Sequence, residues 1–259
     1  MQTTDYLIIG AGIIGLTVGR ELQRQDPGAT VTIIDKESRL GKHASGRNSG
    51  VLHSGIYYPS DSLKARFTRD GNLAWQAYCE EKGLPVDRCG KLIVARNEEE
   101  HAQLALLEAR ATDNGVLVER MDVQQVQEFE PRALTHQHAL FVPSTATADP
   151  MQLLAAQQAD FVNAGGVLLL NHPYRGRAAN NVIQAGNESI QAGKVINCAG
   201  LYADKVAHEF GFGQRYTLLP FKGMYYCAKA DSPAPRCHIY PVPDLRNPFL
   251  GVHLTRTMN

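Results

Sequence analysis

The chain has no surplus of charge. Its 26 lysines and arginines stand against 26 aspartates and glutamates, so nothing suggests a nucleic-acid partner or a strongly acidic surface ligand. Cysteine is scarce as well. Cys79, Cys89, Cys198, Cys227 and Cys237 are odd in number and contain no CxxC pair, a pattern of reduced thiols in a cytoplasmic compartment. No apolar run is long enough to span a bilayer, and a strand pattern that begins at residue 5 leaves no room for a signal or transit peptide. Peripheral association with the inner face of a cell membrane stays open. His136 and His138 have no carboxylate or cysteine at ligand spacing and read as solvated loop histidines, so no metal site is expected.

What is present is enough for a sizeable core. At 259 residues with 44% hydrophobic content, the chain is globular and long enough for one large domain or two ordinary ones. Its first 35 residues carry the most information. Asp5 to Ile9 reads as a strand, Gly10-Ala-Gly12-Ile-Ile-Gly15 as a glycine turn opening a helix, and Val31 to Ile34 as a second strand ending in Asp35. Gly10 permits the tight turn, Gly12 lets backbone approach a pyrophosphate, and Gly15 lets the helix lie close on the sheet. The amides and dipole at the helix start attract phosphate. Asp35, 20 residues after Gly15, can accept from a ribose hydroxyl and would repel a 2′-phosphate. Ile14, Val18 and Leu22 supply apolar positions at four-residue spacing. These features predict a dinucleotide and leave FAD and NAD both open.

Beyond Asp35 the chain enters a long segment of small and polar residues, in which Gly46, Gly50 and Gly55 are spaced so that backbone could wrap closely around a ligand. Within it, Ser45-Gly-Arg-Asn-Ser-Gly-Val-Leu-His-Ser-Gly-Ile-Tyr-Tyr58 resembles the flavin-approach segment of the L-2-hydroxyglutarate oxidase/dehydrogenase branch of the D-amino-acid-oxidase-like (DAO) FAD oxidoreductases. Cys89 to Val94, Val195 to Asp204, Pro220-Phe-Lys-Gly223, Ile239 to Asp244 and Pro248 to Thr255 resemble the same branch in the same order. The likeness covers essentially the whole chain. It implies an α/β fold in which a Rossmann-like FAD-binding domain, residues 1–90 and 150–215, is interleaved with an antiparallel-sheet substrate domain, residues 91–149 and 216–259. The family pattern runs well beyond the last residues, so the resemblance also implies a chain incomplete at its C-terminus.

The rest of the sequence predicts a helix over 61–82 with Leu63, Phe67, Leu73, Trp75 and Tyr78 as its apolar positions, then a strand over 91–95. An amphipathic helix follows over 98–114 with Leu104, Leu107 and Ala111 on one face, and a short helix over 122–129. Asp149-Pro150 caps a helix that runs to about Asn163, and Val167 to Leu170 is a buried-looking strand. Val195 to Gly200 is a second strand-to-glycine turn, whose small residues Ala199 and Gly200 can pass under a flavin. A helix follows over 201–210, with Asp204 in its first turn, where the dipole favours a negative charge. Residues 217–227 and 238–254 read as strands of the substrate sheet.

The chemistry implied by the resemblance is oxidation of L-2-hydroxyglutarate to 2-oxoglutarate by bound FAD, with oxygen or a quinone-linked acceptor taking the electrons. Ile14, Lys36, Ser45, Asn48, Ser49, Gly50, Val51, Ala199 and Gly200 join Gly10, Gly12, Gly15 and Asp35 as expected cofactor contacts. A 2-hydroxy dicarboxylate calls for one proton acceptor and for cations. His53 is the expected base. Lys222 and Arg256 are the expected catalytic cations, with Arg47 and His253 further candidates for the carboxylates and Tyr57 and Tyr240 candidates to line the pocket. Two alternatives are a sister flavoenzyme acting on an amino acid or glycerol 3-phosphate, and a non-catalytic FAD-binding remnant.

Overall fold

A computed structural model of the chain describes residues 1–178, 181–229, 231–244 and 251–258. Its contacts divide into two compact units, each built from two separate stretches. Unit 1 holds Met1–Asn48 and Pro150–Tyr225, and unit 2 holds Ser49–Asp149 and Tyr226–Asn259.

Unit 1 begins with β1 (Gln2–Ile9), α1 (Ile13–Gln25) and β2 (Val31–Ile34). Its second stretch adds α5 (Pro150–Asn163), β9 (Val167–Leu169), β10 (Tyr174–Ala178), β11 (Val182–Ala185), β12 (Glu188–Asn197) and α6 (Ala203–Glu209). The six strands form one sheet in the order β10-β11-β12-β1-β2-β9. β12, β1, β2 and β9 run parallel, with Ile8 between Ile196 and Ile33, while β11 and β10 extend the sheet antiparallel. Parallel strands covered on both faces must be apolar on both. Leu7, Ile8, Ile33 and Ile34 are accordingly buried without exception.

The face of α1 that packs is set by its small residues. A Cβ on Gly19 would stand 2.8 Å from the Phe161 ring of α5, and Gln23 on the same helix donates to the Phe161 carbonyl. Ile14, expected on the apolar face, is instead 62% exposed at the helix start. β9 is an edge strand of the sheet, and Val167 at its start is exposed rather than buried. The helix expected over 201–210 divides into a 3-10 turn, Gly200–Tyr202, and α6.

Unit 2 contains β3 (Val51–Leu52), α2 (Leu63–Lys82), β4 (Val86–Asp87), β5 (Lys91–Val94), α3 (Glu98–Asp113), β6 (Glu119–Asp122), α4 (Val123–Phe129), β7 (His138–Val142), β8 (Ala146–Ala148) and β13 (His238–Pro241). Two sheets result, β13-β5-β7-β6 and β3-β8-β4. The first is antiparallel apart from β13, which runs parallel to β5. β5 is buried on both faces: Ile93 packs with Leu104, Leu107 and Ala111 of α3, and Leu92 and Val94 with Val126 of α4.

Several boundaries differ from the sequence expectation, each for a local reason. The first division falls between Asn48 and Ser49 rather than near residue 90, because β3, β4 and β8 pair with one another. α2 buries Ala65, Asn72 and Cys79, whereas Leu63, Phe67 and Leu73 are each at least 60% exposed. Asn72 is drawn inward because its amide donates to the carbonyls of Leu52 and Ser144. Residues 217–227 form no strand, since a strand needs a ladder partner and none pairs there among the described residues. Pro248, Phe249 and Leu250 of the last motif lie outside the described residues.

Candidate active site

The glycine turn of unit 1 is built by contacts that tolerate no side chain. Gly10 sits at φ 110°, and a Cβ there would overlap the carbonyl of Cys198 at the end of β12. A Cβ on Gly15 would overlap the Gly10 carbonyl, so helix and turn are in backbone contact. Gly12 is the N-cap of α1 and brings no side chain. Its place is taken from outside the helix: Ser45 Oγ accepts from the Ile13 amide at 3.0 Å. Ser45 therefore stands at the positive end of α1, where phosphate oxygens are favoured.

Asp35 acts on the same turn. Its two carboxylate oxygens accept from the amides of Ala11 and Glu37, both at 2.8 Å. The residue expected to face a ribose thus also pins the turn to the end of β2, and a carboxylate has lone pairs left for a further donor. Lys36 lies over the Tyr202 ring at 3.8 Å. Asn48 donates to the carbonyls of Ala44 and Ser45, which fixes the 3-10 turn Ala44–Gly46 that presents Ser45. The Ala199 amide donates to Asn197, and Gly200 turns the chain at φ 55°. Beyond it, Asp204 accepts from the amides of Leu218 and Lys205, which hold its carboxyl below the ordinary range. Ser49, Gly50 and Val51, expected with these residues, fall in unit 2, where Val51 pairs with Thr147 and the Gly50 carbonyl accepts from Ala148.

Unit 2 holds His53 and a second group that the sequence reading passed over. The backbone of residues 55–58 is gripped by the end of α3: Asn114 donates to the carbonyls of Gly55 and Tyr58, and Arg110 to that of Tyr57. Gly55 takes φ 91°, and a Cβ there would stand 3.0 Å from the Ala65 carbonyl. This framework places the Tyr57 ring over the ammonium of Lys91, 4.4 Å from Nζ to the ring centroid, with Tyr240 at 5.6 Å. Lys91 opens β5 on the same side of the strand as Ile93 and is 0% exposed.

Three polar atoms around this point are buried and have no hydrogen-bond partner among the described residues: Lys91 Nζ, Tyr57 OH and His53 Nδ1. Buried polar atoms are rarely left so. Burial alone pulls the Lys91 ammonium down to about 7. Burial first, and then the positive charges of Lys91, His238 and His253, push His53 down to about 3. Burial likewise raises the Tyr57 phenol. At neutral pH His53 is a neutral imidazole whose buried Nδ1 is unused among the described residues, and an anion that offsets the neighbouring positive charges would raise its basicity. The rings of Tyr240 and His53 meet edge to face at 6.1 Å, and His253 lies against Tyr240 at 4.2 Å.

The neighbouring polar groups are committed elsewhere. His238 accepts the Arg256 amide at Nδ1, which leaves its Nε2 as the donor to Thr147, and the Thr147 hydroxyl donates to the Arg256 carbonyl. Arg256 itself, expected to grip substrate, pairs with Asp87 at 2.7 Å and donates to the Pro235 carbonyl. Lys222 lies in the exposed 217–227 segment, in the part that belongs to unit 1, and Arg47 at the end of the 3-10 turn. Of the expected catalytic residues, His53 and Arg256 share unit 2 and Lys222 does not. His136 bonds Glu98, and His138 bonds His101.

Comparison with known proteins gives a consistent picture. The family profile described as DAO, FAD dependent oxidoreductase, matches residues 5–259. L-2-hydroxyglutarate dehydrogenase of Escherichia coli (strain K12) is 36% identical over 98% of this chain and 61% of its own length. The mitochondrial L-2-hydroxyglutarate dehydrogenase of Homo sapiens is 35% identical over 98% of this chain and 58% of its own. The chain thus spans about three fifths of the length of these curated relatives. Among solved structures, dithionite-reduced L-alpha-glycerophosphate oxidase from Mycoplasma pneumoniae with FAD bound superposes with a TM-score of 0.73 at 27% identity, over 80% of this chain and 57% of that one. Glycine oxidase from Geobacillus kaustophilus shares the fold with a TM-score of 0.74 at 22% identity, over 82% of this chain and 60% of that one.

Proposed function

Because this chain belongs to the FAD dependent oxidoreductase family, we propose that it carries the flavin cradle and the proton-accepting part of an enzyme that oxidises L-2-hydroxyglutarate to 2-oxoglutarate. The cofactor is FAD, and the residues of unit 1 fit it: the close backbone at Gly10 and Gly15, the open N-terminus of α1 beside Ser45, and Asp35 at the end of β2. When bound, FAD supplies the acceptor for the hydride that leaves the substrate's second carbon.

The observation that carries the reading is the buried Nδ1 of His53, without a hydrogen-bond partner among the described residues and acted on by the Lys91 cation. In this reading His53 Nδ1 would take the proton of the substrate's 2-hydroxyl and become an imidazolium, while bound FAD would supply the hydride acceptor, so that the substrate would leave as the 2-oxo acid. The Tyr240 ring meets the imidazole edge to face, and Tyr57 covers the neighbouring Lys91 ammonium. The printed activity of the curated relatives supports the dicarboxylate. Oxygen or a quinone-linked acceptor then takes the electrons, and peripheral membrane association belongs to the quinone case.

The test is an absorbance spectrum of the purified chain before and after anaerobic addition of L-2-hydroxyglutarate. Bleaching of the flavin band is expected. A band that persists with this substrate but bleaches with glycerol 3-phosphate would move the reading to the sister activity, which the Mycoplasma pneumoniae oxidase supports. The absence of a flavin band would mark the chain as a remnant unable to hold its cofactor.

A further inference from the structure

The enclosure around His53 has a polarity that the proton-transfer role leaves unexplained. A lysine with no exposed surface normally finds a carboxylate, because a buried ammonium is costly unless paired and hydrogen-bonded. Lys91 has neither a carboxylate nor any hydrogen-bond acceptor. Its ammonium lies over the ring faces of Tyr57 and Tyr240, and its Nζ makes no hydrogen bond among the described residues. Asp87 of β4, four residues earlier in the chain, is bound to Arg256. The basic groups in the cluster, His53, His238 and His253, add no anion. The Tyr57 hydroxyl, which could have bonded Lys91, is left unpartnered too. Three buried polar atoms without hydrogen-bond partners among the described residues, Lys91 Nζ, Tyr57 OH and His53 Nδ1, therefore gather near the start of β5 and the α3-pinned residues 55–58.

We propose that Lys91 Nζ and Tyr57 OH are the receptor for the carboxylate attached to the reacting carbon, and that Lys91 selects 2-hydroxy acids over 2-amino acids. The inference rests on the reading of His53 as proton acceptor. A carboxylate seated between these two donors puts the 2-hydroxyl of the same substrate next to the remaining vacant atom, the acceptor nitrogen of His53. An amino acid would bring its own ammonium into an enclosure that already holds one cation, and like charges repel most strongly where water is excluded. Seating the carboxylate also offsets the positive field that depresses His53, so the base gains proton affinity only when substrate is in place.

The experiment is calorimetric titration of the FAD-loaded full chain with three probes: 2-oxoglutarate, L-2-hydroxyglutarate under anaerobic conditions, and L-glutamate. The unaltered chain should bind the first two and bind L-glutamate at least tenfold more weakly. Lys91→Met should weaken 2-oxoglutarate by tenfold or more and shrink the discrimination against L-glutamate, with flavin content unchanged. Tyr57→Phe, which keeps the ring and removes only the donor, should weaken 2-oxoglutarate by about three- to tenfold, the worth of one hydrogen bond to a charged group. Unaltered binding by folded Lys91→Met, equal binding of L-glutamate by the original chain, or no binding of either dicarboxylate would each overturn the proposal. Anion binding that depends on Lys91 without flavin bleaching would instead uphold this inference and fail the oxidase reading.

Discussion

Replacing Lys91 by methionine should make the protein more stable while removing its ability to hold the substrate anion. The ammonium's pKa falls from the ordinary 10.5 to about 7 through burial alone. At about 1.4 kcal/mol for each unit of pKa, keeping it protonated costs the folded state ~4–5 kcal/mol at or below neutral pH. Contact with the Tyr57 face offsets about 1–2 kcal/mol of that. Methionine fills a similar volume without charge, so a net gain of about 2–4 kcal/mol follows. For a chain of this size each kcal/mol raises Tm by about 2–4 °C.

The pH dependence has a definite sign. A base whose folded pKa lies below its unfolded value destabilises fully below the folded value, here about 7, and the penalty is relieved as pH rises toward 10.5. Scanning calorimetry of both proteins should therefore show the Tm gap widest at pH 6.5 and nearly closed at pH 10. A lower or equal Tm for Lys91→Met at pH 6.5 would refute the argument, since it would mean that the lysine is satisfied in the fold.

Four further outcomes follow from the geometry. His53→Asn should keep the flavin spectrum and slow anaerobic flavin reduction by about 10²–10⁴-fold in stopped flow. Neutral His53 and His238, held down to about 3 and about 4, must take protons on unfolding. Stability should accordingly decline as pH falls from 6.5 to 4, and urea titrations of the His53→Asn/His238→Asn double variant should show a flatter profile. Gly15→Ala drives a methyl into the Gly10 carbonyl and should abolish the flavin band, whereas Gly28→Ala, with open space around it, should leave the band intact. Asp87→Asn leaves the Arg256 guanidinium without its ionic partner and should lower stability by about 1–3 kcal/mol in urea denaturation.

The parts of this molecule that were legible in the sequence are those fixed by local chemistry. Gly10, Gly15 and the proline at the start of α5 each state a backbone requirement, and each sits where that requirement predicts. Helix faces were less legible where polar side chains do the packing. Asn72 displaced the apolar residues of α2 because two carbonyls needed a donor. Arg256 looked like a free cation because nothing in the sequence announces Asp87, 169 residues away, as its partner. Lys91 did leave a trace: it begins the strand Lys-Leu-Ile-Val, in phase with buried Ile93, where a charge is out of place. Only the fold could show that it lacks a counter-ion.

The division of each unit into two separate stretches has a consequence for how the chain comes into being. β1 leaves the ribosome well before its neighbour β12, which ends at Asn197, paired with Ile9. At ordinary synthesis rates of about 5–20 residues per second, that edge waits on the order of 10–40 s for its partner. Throughout the delay an apolar strand, with β2 beside it, presents an open template for other chains. Contacts so distant in sequence also close slowly. Yield in cells should therefore depend on chaperones and temperature during synthesis more than on the stability of the finished protein.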